Sequence, residues 1–117
     1  VEAAFTRDGG YAGMRTLLSR VPDIDTVFAA TDLMAVGAMT ALRDLGKTPG
    51  KDVSIAGFDD IDTALDVTPT MTSVVAPLAD MGYRAVKLAI DSHDDQDPQV
   101  LKVNTSVIVR DSTPLRH

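Results

Sequence analysis

The sequence predicts an α/β fold, a mostly parallel sheet flanked by helices, and three observations predict it. Short apolar runs, VFAA at 27–30, VSIAGF at 53–58 and MTSVV at 71–75, alternate with longer segments of helical period. The run at 53–58 is continuously small or apolar instead of alternating, the pattern of a strand covered on both faces. Helix start and stop signals fill the intervals, and strand–helix–strand alternation implies right-handed crossovers between parallel strands.

Each element follows from its residues. Met14, Leu17, Leu18 and Val21 recur at i, i+3, i+4 and i+7 behind Asp8-Gly9-Gly10 and ahead of Pro22, which predicts an amphipathic helix over about 10–20. After the strand at 27–30, Thr31-Asp32 can cap a helix running to Leu45, with Gly46 as the residue beyond it. The turn-rich KTPGKD separates that helix from the strand at 53–58, and a short helix is expected around 61–66. Behind the strand at 71–75, Pro77 opens a helix whose Leu78, Met81, Gly82, Ala85, Leu88 and Ala89 form one stripe ending near Ser92. The acidic HDDQDP leads to VLKV at 100–103 and SVIV at 106–109, two strands split by Asn104-Thr105.

Composition excludes several classes of function. A chain of 117 residues buries somewhat under about 70% of its unfolded surface, enough for one core. Seventeen acids against eleven bases give a net charge of −6, and no segment gathers the basic residues into a phosphate-neutralising patch, so this stretch does not hold nucleic acid by itself. Without cysteine there is no disulfide or thiolate site; His93 and His117 sit in a polar tract and at the terminus, so no metal or other cofactor is expected. VEAAFTRDGG lacks the basic and apolar pattern of a leader, and no apolar run spans a bilayer; a cytoplasmic location without membrane partners is the expectation.

Chemistry concentrates at the strand ends. Ligands of open parallel sheets sit outside the carboxyl ends of the strands, where Thr31-Asp32 and Asp59-Asp60 both fall. Asp32 has a structural reading as the cap of a helix beginning at Leu33, and one of Asp59 and Asp60 is accounted for by a turn and a cap. Three aspartates at 59, 60 and 62 nevertheless repel one another, and the surplus carboxylate suits a ligand that offers paired hydroxyls or N–H groups. Asp60-Ile61-Asp62-Thr63 also resembles the DxDxT element of haloacid-dehalogenase-type phosphatases, although no matching downstream Ser/Thr, Lys and acidic pair follows. From Leu33 to Leu42 the chain reads LMAVGAMTAL without a charge; a helix buried in a larger sheet accounts for it, but a subunit interface, closed by a symmetric dimer, is the preferred expectation.

VFAATDLMAVGAMTALRDLG, DVSIAGFDDI, TPTMTSVVAPLADMGYRAVKLAI and TSVIVRDST, in that order, resemble the effector-binding region of lactose-repressor-like (LacI/GalR) transcription regulators, and AFTRDGGYAGMRTLL resembles the stretch before them. The closing VRDST favours a regulator over a periplasmic sugar-binding relative, which is the alternative. The resemblance implies a partial type I periplasmic-binding-protein-like lobe: residues 1–75 and 106–117 match the C-terminal lobe, residues 76–105 the segment that returns to the N-terminal lobe. By implication the chain is a fragment, with the helix-turn-helix headpiece that contacts operator DNA absent. Carried over by position, Phe5 matches an aromatic that stacks on the effector, Asp59 an aspartate that hydrogen-bonds it, and Thr31 a usual Asn that touches it. Ala3-Ala4 stand where relatives often have Gly-Asp. The resemblance further implies dimer contacts at Leu33 and Val36 and near Val67 and Pro69. The implied partners are a sugar or nucleobase-like effector and a second copy of the chain; the resemblance implies no enzymatic activity.

Overall fold

The computed structural model describes residues 1–91 and 100–115. Its elements are α1 (Arg7–Arg20), β1 (Thr26–Phe28), α2 (Asp32–Asp44), β2 (Ser54–Asp59), α3 (Thr63–Asp66), β3 (Thr72–Val75), α4 (Leu78–Asp91) and β4 (Ser106–Ile108). The strands lie in the order β1-β2-β3-β4, the first three parallel and β4 antiparallel to β3. The mostly parallel sheet expected from the alternation is therefore present.

Local signals explain most boundaries. Helix α1 starts three residues earlier than its apolar period suggests, because Thr6 caps it and its Oγ1 accepts the Gly9 N–H at 3.0 Å. Gly10 falls within the helix at a point where α2 comes very close. A Cβ on Gly10 would sit 2.0 Å from the Met34 carbonyl oxygen, and one on Gly37 would sit 1.9 Å from that of Arg7. Only hydrogen at both positions permits this approach.

The core lies between α1, α2 and the sheet. Met39, Leu42, Ile55, Val53 and Met71 are fully buried, each worth about 1.5–3 kcal/mol relative to exposure. Helix α2 is sandwiched: α1 covers one side and β2 the other, which requires the charge-free run from Leu33 to Leu42. That packing accounts for the charge-free run within a single chain, and Val36, 5% exposed, belongs to the core.

Two further expectations change. Residues 100–103 form no strand, since the free edge of β3 is taken by Ser106–Ile108, and Val100 and Leu101 stay exposed. The HDDQDP tract with His93, the end of the helix near Ser92, and His117 lie outside the described residues. Helix α4 buries none of its residues, and the molecule is elongated, 56 × 25 × 24 Å.

Candidate functional site

Strands β1 and β2 are parallel neighbours with Phe28 level with Ala56, and Thr31 and Asp59 each lie three residues further along. The polar tips of the two strands therefore open on the same edge of the sheet, the geometry in which such sheets hold ligands.

The acids at this edge divide their work. Thr31, half-buried, is the N-cap of α2, its Oγ1 accepting the Met34 N–H at 3.3 Å. The cap is thus Thr31 and not Asp32, because Asp32 is turned into the protein. Fully buried, Asp32 accepts the Ile61 N–H on Oδ2 at 2.9 Å and the Ser73 hydroxyl on Oδ1 at 2.7 Å. Asp60 is bound twice: its N–H donates to Ser73 Oγ at 3.1 Å, and its carboxylate meets the Arg110 guanidinium at 2.7 Å. Arg110 is held in turn by the Met71 carbonyl, 2.7 Å from Nη1. Asp62 precedes α3 without capping it.

Asp59 remains. Among the described residues its carboxylate has no hydrogen-bond partner, although it is half-buried at the carboxyl end of β2. Burial, and then the charge of Asp32, raise its carboxyl above the ordinary value. Asp59 and Asp60 have φ of 108° and 56°, two consecutive non-glycine residues with left-handed sign. Such backbone costs on the order of 1–3 kcal/mol per residue and persists where surrounding bonds enforce it.

The residues singled out from the sequence are only partly gathered. Phe5 stands in the coil ahead of α1 and is 70% exposed. An apolar cleft of about 190 Å³ is lined by Val1, Ala3, Met14, Phe28, Ala30 and Met34 among others, and not by Phe5, Thr31 or Asp59. Leu33 is 44% exposed, while Val67 packs partly against the core and Pro69 is half-buried. Sequence reasoning missed Ser73 and Arg110, which hold the corner, and Ser112, whose hydroxyl donates to the Ile55 carbonyl and accepts the Thr72 N–H. Their only signal was polarity within buried or β-rich stretches.

The acid-based phosphatase reading fits poorly, because its nucleophile, Asp60, is committed to Arg110. Comparison with known proteins is direct. The periplasmic binding protein-like domain family matches residues 1–113. The chain belongs to that family. Its relatives are transcription regulators of the LacI type, as the sequence resemblance implies, and not enzymes. The regulator CelR of Thermobifida fusca is 42% identical over 110 residues, 92% of this chain and 32% of that protein. The ribose operon repressor of Halalkalibacterium halodurans is 34% identical over 115 residues, 97% of this chain and 35% of that one. This periplasmic-binding-protein-like chain thus spans about a third of the length of these curated relatives. Among solved structures, a CelR–cellobiose complex superposes with a TM-score of 0.87 at 41% identity, covering 94% of this chain and 34% of that one. A LacI family regulator from Enterococcus faecium with bound ribose gives 0.81 at 28% identity, covering 95% and 42%.

Proposed function

We propose that this chain is the effector-binding and dimerising part of a LacI-type transcription regulator. A sugar or a similarly polar metabolite binds outside the carboxyl ends of β1 and β2. The observation that carries the reading is Asp59, a half-buried carboxylate without a hydrogen-bond partner among the described residues, at the same sheet edge as Thr31. Its two oxygens suit vicinal hydroxyls. Thr31 adds a hydroxyl and Phe5 a ring to lie against the sugar face. The relatives solved with cellobiose and ribose support a sugar as the occupant.

The rest of the crevice belongs to a second lobe. Residues 1–75 and 106–117 form one lobe, and residues 76–105 cross to the other, in keeping with an α4 that buries nothing here. Leu33, Val67 and Pro69 supply dimer contacts, with Val36 supporting Leu33 from within. Operator DNA is bound by a helix-turn-helix outside residues 1–117, in the cytoplasm; no described helix is long and apolar enough to cross a membrane. The effector acts by population shift. It favours one lobe arrangement through differential affinity, and paired headpieces read that arrangement as operator affinity.

A thermal-shift panel of cellobiose, ribose and nucleobases on the full-length protein, followed by calorimetric titration, tests this. The binder is expected to be a sugar, and Asp59→Ala to weaken it about tenfold or more, as loss of a hydrogen bond to a charged group implies. A panel without any shift, or wild-type affinity in Asp59→Ala, contradicts the proposal.

A further inference from the structure

Asp32 is a buried carboxylate beside the strand ends, and the effector reading gives it no direct contact. Its two oxygens are both used, one by the Ile61 N–H at 2.9 Å and one by the Ser73 hydroxyl at 2.7 Å. Ser73 Oγ passes the constraint on by accepting the Asp60 N–H at 3.1 Å. Arg110 closes the far side, joining the Asp60 carboxylate to the Met71 carbonyl at 2.7 Å each. Asp60 and Ile61 are the two residues that follow Asp59, and the left-handed backbone occupies Asp59 and Asp60. The strained corner is therefore gripped at its amides from α2 and β3 and at its side chain from the C-terminal tail. Space for the grip comes from Gly57, where a Cβ would lie 2.2 Å from Asp32 Oδ1.

We infer that Asp32 is a positioning residue: by clamping the Ile61 amide and the Ser73 hydroxyl, it holds the left-handed Asp59–Asp60 corner and so directs the Asp59 carboxylate into the ligand site. The inference rests on the effector reading for what Asp59 contacts, whereas the clamp itself stands on geometry. Without Asp32, the Ile61 amide loses its acceptor and the corner relaxes toward ordinary β or α backbone, turning the Asp59 side chain away. Asparagine at position 32 keeps one acceptor for the Ile61 amide and can donate to Ser73 Oγ, so it preserves most of the clamp.

Two measurements on the full-length protein test it. Amide hydrogen exchange in Asp32→Ala is expected to rise at least tenfold at Asp60 and Ile61 while Leu42 and Ile55 keep wild-type protection, and Asp32→Asn is expected to restore most of the loss. Ser73→Ala, a milder cut in the same clamp, is expected to raise exchange at Asp60 and serves if Asp32→Ala does not fold. In cellobiose titrations, Asp32→Ala is expected to weaken binding tenfold or more in the wild-type background but less than threefold in Asp59→Ala, the non-additivity of a residue that acts through another. Unchanged exchange at Asp60 and Ile61 in both clamp variants, or equal weakening in both backgrounds, overturns the inference. Raised exchange together with an Asp59→Ala protein that binds cellobiose normally supports the clamp and overturns the effector reading instead.

Discussion

At the scale of single residues, the carboxylates at one sheet edge have opposite assignments: Asp32 and Asp60 are consumed by the fold, and Asp59 is withheld from it. Withholding has a cost in stability. Burial and the neighbouring Asp32 raise the Asp59 carboxyl, so the fold disfavours its charged form. An acid with a raised folded pKa contributes most below its unfolded value and loses that contribution as pH rises through the folded value. Asp59→Asn is therefore expected to resist urea better than wild type at pH 7, with the advantage shrinking as pH falls to about 4. An advantage equal at both pH values would trace the effect to asparagine's tolerance of left-handed backbone alone. A Cβ at Gly57 collides with the Asp32 carboxylate, so Gly57→Ala is expected to cost about 1–3 kcal/mol in urea denaturation. Thr31 and Asp59 were legible in the sequence because each directly follows an apolar run. The roles of Ser73 and Arg110 were not, because their partners Asp32 and Asp60 lie 41 and 50 positions away and no local pattern encodes that distance.

At the scale of elements, the strands and long helices could be read because burial on both sheet faces demands continuous apolar runs and helices carry apolar stripes. VLKV misled for a physical reason: β-propensity without a neighbouring edge makes no strand, and Ser106–Ile108 had taken that edge. The charge-free α2 carries less information than its sequence suggests, since a helix clamped between α1 and β2 lacks charge with or without a partner subunit. The α1–α2 contact has its own test. Gly10→Ala and Gly37→Ala each place a methyl within 2.0 Å of a facing backbone carbonyl oxygen, and each is expected to cost about 1–3 kcal/mol of unfolding free energy. Once one methyl has pushed the helices apart the second meets less resistance, so the double variant is expected to lose less than the sum of the two.

At the scale of the whole molecule, one end is a packed α/β lobe and the other an uncovered amphipathic helix. Met81, Ala85 and Leu88 of α4 border a groove shared with Leu101 and Val103, and Leu78, Val86 and Ile90 are largely exposed. An apolar surface of this kind is expected to drive concentration-dependent association of residues 1–117 in sedimentation velocity, and Met81→Lys with Leu88→Lys to suppress it. The family, the mostly parallel sheet and the strand-end edge all follow from the order of motifs. The position of the bound sugar is decisive. A crystal structure of the full-length protein with its bound sugar decides that directly: the expected result is a sugar hydroxyl within hydrogen-bonding distance of the Asp59 carboxylate at the carboxyl ends of β1 and β2. A sugar lodged instead in the apolar cleft between Val1 and Met34, away from Asp59, would contradict it.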